Sequence, residues 1–396
     1  MRAEAVIDLA ALRGNIRTLR AGVGPAAVMS VVKADAYGHG MLRCARAALS
    51  AGATWLGTAT PQEALALRDG GISAARARVL CWLWTPDGPW ERAVRAEIDI
   101  SVSSQWALSE VVTAARAGGR TARVHLKADT GLGRNGCQPH DWPALLAAAR
   151  SAEAEGLIRV AGVWSHLACA EEPEHPSVRS QLACYRWALA FAERVGLRPE
   201  VRHLANSAAA LTLPETHFDL VRAGLAQYGL SPAPEVADPS GFGLRPVMTL
   251  QAQVALVKRV PGGHGVGYGH RYLTPGRSTL ALIPLGYADG IPRHASGAGP
   301  VQLGGRRHTV AGQIAMDQFV VDLGDGDADV GDSDVGDSDV RAGDTAVLFG
   351  SGDQGEPTAQ DWAVASGTIS YEIVTRIGAR VPRRYVGDSA DRPGGR

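Results

Sequence analysis

The 396-residue chain is short of cysteine, of aromatic residues, of net charge and of long apolar runs. Each shortage closes off a class of protein. The five cysteines (Cys44, Cys81, Cys137, Cys169 and Cys184) are odd in number and show no C-x-x-C spacing. They read as free thiols of a reducing compartment, not as a disulfide framework, and no metal site is expected from them. Lys plus Arg equals Asp plus Glu, 40 against 40. The chain therefore lacks the one-sided charge of a nucleic-acid binder. No stretch approaches the ~18 apolar residues of a membrane helix. The start, Met1 to Asp8, has no apolar run of the signal-peptide kind. A cytoplasmic protein with no membrane or nucleic-acid partner is expected. What is present is a normal core-forming share of apolar residues, 45%. The length suits two domains, or one large barrel with an addition.

Ala5 to Leu9 is a strand candidate, and Asp8 can cap the helix after it, with Leu12, Ile16 and Leu19 on one face. A repeat then sets in. Strand-like runs fall at 27–32, 54–57, 79–83, 98–102, 123–126, 160–164, 201–204 and 220–221, with helix-like stretches such as 41–51, 61–69, 105–117, 143–155 and 178–195 between them. Eight β runs alternating with helices predict an α/β fold, a (β/α)8 TIM-like barrel over residues 1–230. Residues 231–246, rich in proline and glycine, read as a linker. β-type segments at 248–260, 278–284, 300–310, 318–323 and 344–349, with helical character near 360–376, predict a mainly β domain over 247–386. The polar stretch 387–396 reads as a disordered tail.

Two features invite a ligand and do not support one. The acidic repeat 325–339 fails the EF-hand pattern, because Val330 and Gly336 stand where the sixth-position glycine and twelfth-position acid belong. A solvated, duplicated loop fits it better. The glycine cluster Gly262 to His270 has neither G-x-G-x-x-G spacing nor a following helix. It reads as a tight loop that presents Tyr268.

In such a barrel the active site lies at the carboxyl ends of the strands. Lys33 follows the first run. Lys127, Asp129 and the turn Gly131-Leu132-Gly133-Arg134 follow the fifth, and His166 the sixth. Asn206 and Ser207 follow the seventh, Arg222 and Gly224 the eighth. The set is cationic and calls for an anionic ligand carrying phosphate or carboxylate. Gly224 would allow close backbone approach to a phosphate. A lysine at a strand end is usually a solvated one, but partial burial would lower its pKa and suit it to Schiff-base work.

Val32-Lys33-Ala34-Asp35-Ala36-Tyr37-Gly38-His39-Gly40 resembles the pyridoxal phosphate lysine motif of the alanine racemases. Further motifs of that family recur in its order. They are Asp129 to Arg134, Ser165 to Ala168, Ala205 to Ala209, Val221 to Gly224, Gly267-Tyr268-Gly269, Gly286 to Gly290, Ala315 to Gln318, and Ile369 to Glu372. Two positions depart mildly, with Asp35 where many members carry asparagine and Ala315 where some carry cysteine.

The resemblance implies roles. Lys33 would carry pyridoxal 5'-phosphate in Schiff-base linkage. Tyr37, Ser207, the backbone around Gly224, and Tyr371 would bind its phosphate, and Asn206 would also contact the cofactor. Arg222 would hydrogen-bond the pyridine nitrogen, with His166 behind it. Arg134 and the backbone at Met316 would hold the substrate carboxylate, and Tyr287 would line the entrance. Lys127 matches a lysine that is carbamylated in many members. Tyr268 would reach the active site of the other subunit of a homodimer. The implied activity is interconversion of L- and D-alanine, which supplies D-alanine for peptidoglycan.

The chemistry suits these residues. Racemisation needs a proton removed from one face of Cα and returned to the other. Lys33 and Tyr268 would serve one face each. Both have ordinary pKa values near 10 and need lowering, which a cationic cluster of Arg222, His166 and Arg134 would favour. Arginine only donates, so Arg222 would leave the pyridine nitrogen unprotonated and the ring a weak electron sink. That disfavours another barrel enzyme such as a decarboxylase. A serine or broad-range racemase and a non-catalytic pyridoxal phosphate carrier stay open.

Overall fold

The computed structural model describes residues 2–325 and 340–388. The acidic repeat beyond Asp325 and the tail beyond Asp388 lie outside the described residues. Strand β1, Ala3–Asp8, opens the chain. Eight strands follow, β2 (Ala27–Val31), β3 (Trp55–Thr58), β4 (Arg78–Cys81), β5 (Asp99–Val102), β6 (Ala122–Lys127), β7 (Ile158–Trp164), β8 (Val201–His203) and β9 (Leu220–Ala223). They pair in parallel in the order β8-β7-β6-β5-β4-β3-β2-β9. Two backbone bonds bring the ends together. Arg222 N donates to Ala205 O and Asp219 N to Arg202 O, each at 3.0 Å. Helices at Leu9–Gly22, Met41–Ser50, Pro61–Asp69, Trp90–Arg95, Gln105–Gly118, Trp142–Ala154, Pro176–Arg194 and Ser207–Thr212 alternate with the strands. The parallel α/β barrel expected from the eight runs is therefore present. β3, β5 and β9 are buried along their whole length, and β2, β4, β6 and β7 at all but one residue, as strands covered on both faces should be.

Local chemistry sets the boundaries. Thr60 and Glu63 form a reciprocal capping box at the start of Pro61–Asp69. Ser104 caps Gln105–Gly118. Gly119 closes that helix in the left-handed region, with φ of 59°. Inside the barrel, Met29, Trp55, Leu80 and Leu220 pack as a buried cluster. The short helix Trp90–Arg95 falls outside the helical stretches read from the sequence, where its six residues carry too little periodicity.

The remaining strands are β10 (Met248–Gln253), β11 (Leu256–Val260), β12 (Gly265–Val266), β13 (Tyr272–Leu273), β14 (Ser278–Ile283), β15 (Pro300–Leu303), β16 (Arg306–Ala311), β17 (Phe319–Asp322), β18 (Thr345–Phe349) and β19 (Arg383–Val386). Of the nineteen strands among the described residues, nine form one sheet, β11-β14-β17-β16-β15-β18-β10-β1-β19. Two runs that look continuous are broken. Residues 248–260 split into β10 and β11, which lie far apart in that order. Residues 300–310 fold as a hairpin around Gly304 and Gly305, both at positive φ. Residues 360–376 hold two helices, Ala359–Ser366 and Ser370–Thr375, separated by the left-handed Gly367.

The chain forms two compact units. One comprises Leu12–Ala36 and Gly40–Leu244, the other Met1–Ala11, Tyr37–His39 and Arg245–Arg396. The start of the chain thus departs from the expectation that 1–230 is all barrel. β1 pairs antiparallel with β10 and parallel with β19. The reason lies in its alternating burial, which marks a strand covered on one face, against the continuous burial of the barrel strands.

Candidate active site

β2 ends where Val31 O receives two buried donors, Gln227 Nε2 at 2.7 Å and Tyr228 Oη at 2.9 Å. Ser30 Oγ donates to Gln227 Oε1 at 2.6 Å. Lys33 follows two residues later, half-buried, with its Nζ 5.9 Å from the centre of the Trp82 ring. The backbone beyond it is left-handed at four consecutive non-glycine residues, Ala34, Asp35, Ala36 and Tyr37, with φ of 52°, 51°, 56° and 55°. Each such residue costs about 1–2 kcal/mol. Backbone strain of this extent persists only where the surroundings over-determine it, and it clusters at functional sites. Here Ala34 N donates to Glu63 Oε1 at 2.7 Å, Ala36 N to Val32 O at 2.8 Å, and Met41 N to Asp35 Oδ1 at 2.7 Å. Aspartate tolerates the left-handed region better than most residues, which suits Asp35 to its place.

Around the other strand ends the barrel gathers cations. Lys127 ends β6, buried, with Nζ 4.4 Å from the Trp164 ring centre. Burial, then Arg222 and Arg134, lower its pKa to about 7. Lys33 is lowered by burial first and by Arg134 second, against an opposing pull from Glu63. Asp129 accepts from Gly131 N, Gly133 N and Gln138 Nε2, which shapes the turn that carries the exposed Arg134.

Arg222, on β9, is buried and held by its two terminal nitrogens. Nη1 donates to His203 O and to His203 Nδ1, both at 3.2 Å. Nη2 donates to Ser165 O at 2.9 Å, Leu204 O at 3.0 Å and His166 Nδ1 at 3.1 Å. Burial lowers its pKa to about 10, which leaves it charged at neutral pH. His166 differs from the sequence expectation of a cationic member of the cluster. Its Nδ1 accepts from Arg222, and burial followed by Arg222 and Arg134 depresses its pKa well below the usual range. Burial is the larger cause, and the surrounding cations add to it.

Asn206 caps Ser207–Thr212 by accepting from Ala209 N at 3.1 Å. Ser207 Oγ accepts from Gly224 N at 2.8 Å and Ala226 N at 3.2 Å. This convergence of backbone donors and a hydroxyl at a helix start suits an anion. A pyridoxal phosphate fits the whole set: a desolvated amine for its aldehyde, a charged donor-only guanidinium for its ring nitrogen, and backbone N–H groups for its phosphate.

The structure therefore brings Lys33, Lys127, Arg134, His166, Asn206, Ser207, Arg222 and Gly224 into the barrel unit. Tyr37, Tyr268, Tyr287, Met316 and Tyr371 belong to the other unit. Within it the rings of Tyr37 and Tyr371 lie 6.2 Å apart, and burial with Tyr371 pushes the Tyr37 phenol up. Tyr268 stands 76% exposed on a turn that Gly267 and Gly269 form at positive φ. Tyr287 and Met316 are exposed, and their strands of loop are tied by Tyr287 N to Ala315 O and Ala288 N to Met316 O. The sequence reading missed Trp82, Trp164, Glu63 and Gln227 as neighbours of the site. One signal was available. Lys33, Lys127 and Lys258 are the only lysines of the chain. Two of the three stand at barrel strand ends.

Residues 7–232 match the family model for the alanine racemase N-terminal domain, and residues 247–385 that for its C-terminal domain. The chain belongs to the alanine racemase family. Among relatives of that family, the alanine racemase of Streptomyces coelicolor is 65% identical over 391 residues, covering 98% of this chain and 97% of that protein. The crystal structure of the alanine racemase from a D-cycloserine-producing Streptomyces lavendulae superposes with a TM-score of 0.93 at 61% identity, covering 98% and 97% of the two chains. The alanine racemase of Corynebacterium glutamicum aligns with a TM-score of 0.83 at 37% identity, covering 97% and 99%. Among the described residues of this alanine racemase family member, no helix is long and apolar enough to cross a membrane.

Proposed function

We propose that this chain racemises alanine with Lys33 and Tyr268 as its two acid/base groups, on pyridoxal 5'-phosphate held in the barrel. The activity itself follows from the family: the chain is an amino-acid racemase, an isomerase, acting on alanine. Pyridoxal phosphate supplies, when bound, the conjugated ring that delocalises the electron pair left at Cα. The protein's part is to hold that ring, orient the substrate and move one proton on each face.

The single observation that carries the assignment of roles is the state of Lys33. Burial and Arg134 lower its pKa. A strained left-handed turn fixes the backbone beside it. An amine that sheds its proton readily can both carry the aldehyde and act as a base. Arg222 would donate to the pyridine nitrogen and leave it unprotonated, which would keep the bound ring a weak electron sink. Ser207 and the backbone at Gly224 would hold the phosphate, with Tyr37 and Tyr371 as phenol donors, and Asn206 would bind the cofactor with them. Burial keeps Tyr37 a phenol. Arg134 and the backbone at Met316 take the substrate carboxylate, and Tyr287 lines the entrance.

Tyr268 acts in the partner subunit of a homodimer. Its 76% exposure on its own chain supports that reading. Lys127, at a pKa of about 7, is unprotonated often enough to add carbon dioxide. Once the ammonium has lost its proton, addition of carbon dioxide to the neutral amine releases a second, so that two protons in all leave as a cation beside Arg134 becomes an anion. We place the enzyme in the cytoplasm, where it supplies D-alanine for peptidoglycan.

Borohydride reduction of the holoenzyme followed by peptide mapping tests the centre of this reading. The label is expected on Lys33. A label on Lys127 or Lys258 would overturn the assignment. Incubation with L-alanine, read by D-alanine oxidase, is expected to yield D-alanine, and sedimentation is expected to find the active form a dimer.

A further inference from the structure

Three fully buried titratable side chains lie behind Arg222 and have no part in the proton transfers above. They are Asp99 on β5, His125 on β6 and His203 on β8. They join end to end. His203 Nδ1 lies 3.2 Å from Arg222 Nη1, His203 Nε2 2.9 Å from His125 Nδ1, and His125 Nε2 3.1 Å from Asp99 Oδ2. Asp99 is anchored outward by Arg123 Nε at 3.0 Å, and Arg123 makes two bonds of 2.9 Å to Glu200.

The donor at one end decides the direction of every link. A guanidinium can only donate. His203 Nδ1 must therefore present its lone pair, and the ring proton of His203 sits on Nε2. That proton points at His125 Nδ1, which must accept. His125 then carries its own proton on Nε2 and gives it to the Asp99 carboxylate. No other assignment satisfies all three contacts. A cationic His125 would donate from both nitrogens, force the His203 proton onto Nδ1, and set it against an Arg222 N–H. Burial first, and the charge of Arg222 with it, favour the neutral form of His203.

We infer that Asp99, His125 and His203 form a one-way hydrogen-bond chain through the barrel interior whose function is to hold Arg222 at a fixed angle. They are positioning residues for the guanidinium and touch neither cofactor nor substrate. The inference rests on the reading of Arg222 as the partner of the pyridine nitrogen. Trp164 completes the clamp, stacked on His203 at 5.4 Å and 7° and lying 4.8 Å from the Arg222 guanidinium. A buried carboxylate and two buried imidazoles cost more to desolvate than an apolar core of equal volume. A fixed orientation of one charged donor is what that cost secures here.

The first test needs no turnover. Histidine side-chain 15N spectra of the holoenzyme at neutral pH, assigned with His125→Gln and His203→Gln, are expected to show both rings neutral with the proton on Nε2. A cationic His125, or a His203 proton on Nδ1, overturns the chain. The second test reads its purpose. Loss of a charge-assisted hydrogen bond corresponds to about tenfold or more. His203→Leu is expected to lower kcat by about that much, with a smaller change in KM, and to shift the cofactor absorbance maximum. His203→Gln, which can still accept from Arg222 and donate to His125, is expected to restore most of both. Equal effects of the two variants, or an unshifted spectrum in His203→Leu, overturn the positioning role. Arg222→Lys separates the two levels. A spectrum unmoved by Arg222→Lys overturns the reading of Arg222 and this inference with it. A spectrum moved by Arg222→Lys but not by His203→Leu overturns the inference alone.

Discussion

The ends of β2 and β6 each present a lysine to the same barrel mouth, and the two lysines differ in every respect that matters for chemistry. Lys33 follows its strand, half-buried, on a backbone forced into four left-handed residues. Lys127 is the last residue of its strand, 4% exposed, against the face of Trp164. Lys33 has one carboxylate, Glu63, pulling its pKa up against burial. Lys127 has burial first, then Arg222, Arg134 and Lys33 pushing down, with Asp129 in opposition, and falls to about 7. The residue type is shared. Their settings diverge because one amine leads into a strained left-handed turn and the other ends a buried strand.

The largest effect expected from that contrast is on turnover. Lys33→Ala should lower kcat by at least about 10³-fold, the scale of a positioned base. It should also abolish the borohydride label. Lys127→Ala should cost about tenfold, mostly in KM, and keep the label. Equal losses in the two variants would break the comparison.

A smaller effect concerns stability. The folded-state pKa of Lys127 lies below its unfolded value, so the unfolded chain binds the extra proton and folding is penalised wherever that proton is available. The penalty is full below pH about 7, shrinks as pH rises and is gone above the unfolded pKa. In buffer freed of carbon dioxide, Lys127→Met should therefore be more stable than the parent at pH 7, by on the order of 2 kcal/mol in denaturant titration. The difference should narrow toward pH 10. Bicarbonate should stabilise the parent and leave the variant unmoved. A gap that widens with pH would contradict the burial argument.

The smallest effect sharpens the other side. Glu63 raises the Lys33 pKa and anchors Ala34 N. Glu63→Gln should lower the pH at which Lys33 becomes reactive, by less than about one unit for a partly solvated pair. Amine labelling of the apoprotein across pH reads it. A shift upward would mean that loss of the Ala34 anchor outweighs loss of the charge.

Much of this was legible in residue order. Eight short apolar runs with helices between them specify a parallel barrel, since only a closed, helix-covered sheet buries strands along their full length. Lys33, Arg222 and Ser207 declared themselves by standing where such runs stop. Other features were hidden for identifiable reasons. The alternation of Ala3–Asp8 was too short to say which sheet would take it. The split of 248–260 into β10 and β11 leaves no gap in hydropathy, because both halves are strands. Glu63 stands in the first turn of its helix and closes the capping box there. Its second carboxylate oxygen, which holds the turn beside Lys33, serves a contact 29 residues away that no local pattern encodes.

The sequence by itself determined the fold class, the family and the identity of the groups at the strand ends, because periodicity and residue type are local properties of the chain. Tertiary structure decided the protonation states. His166 and His203 are neutral, Lys127 sits near neutrality, and Arg222 is clamped by five bonds to residues 18 or more positions away in the chain. Charge, desolvation and hydrogen-bond direction depend on distances through space, and only the folded barrel sets those.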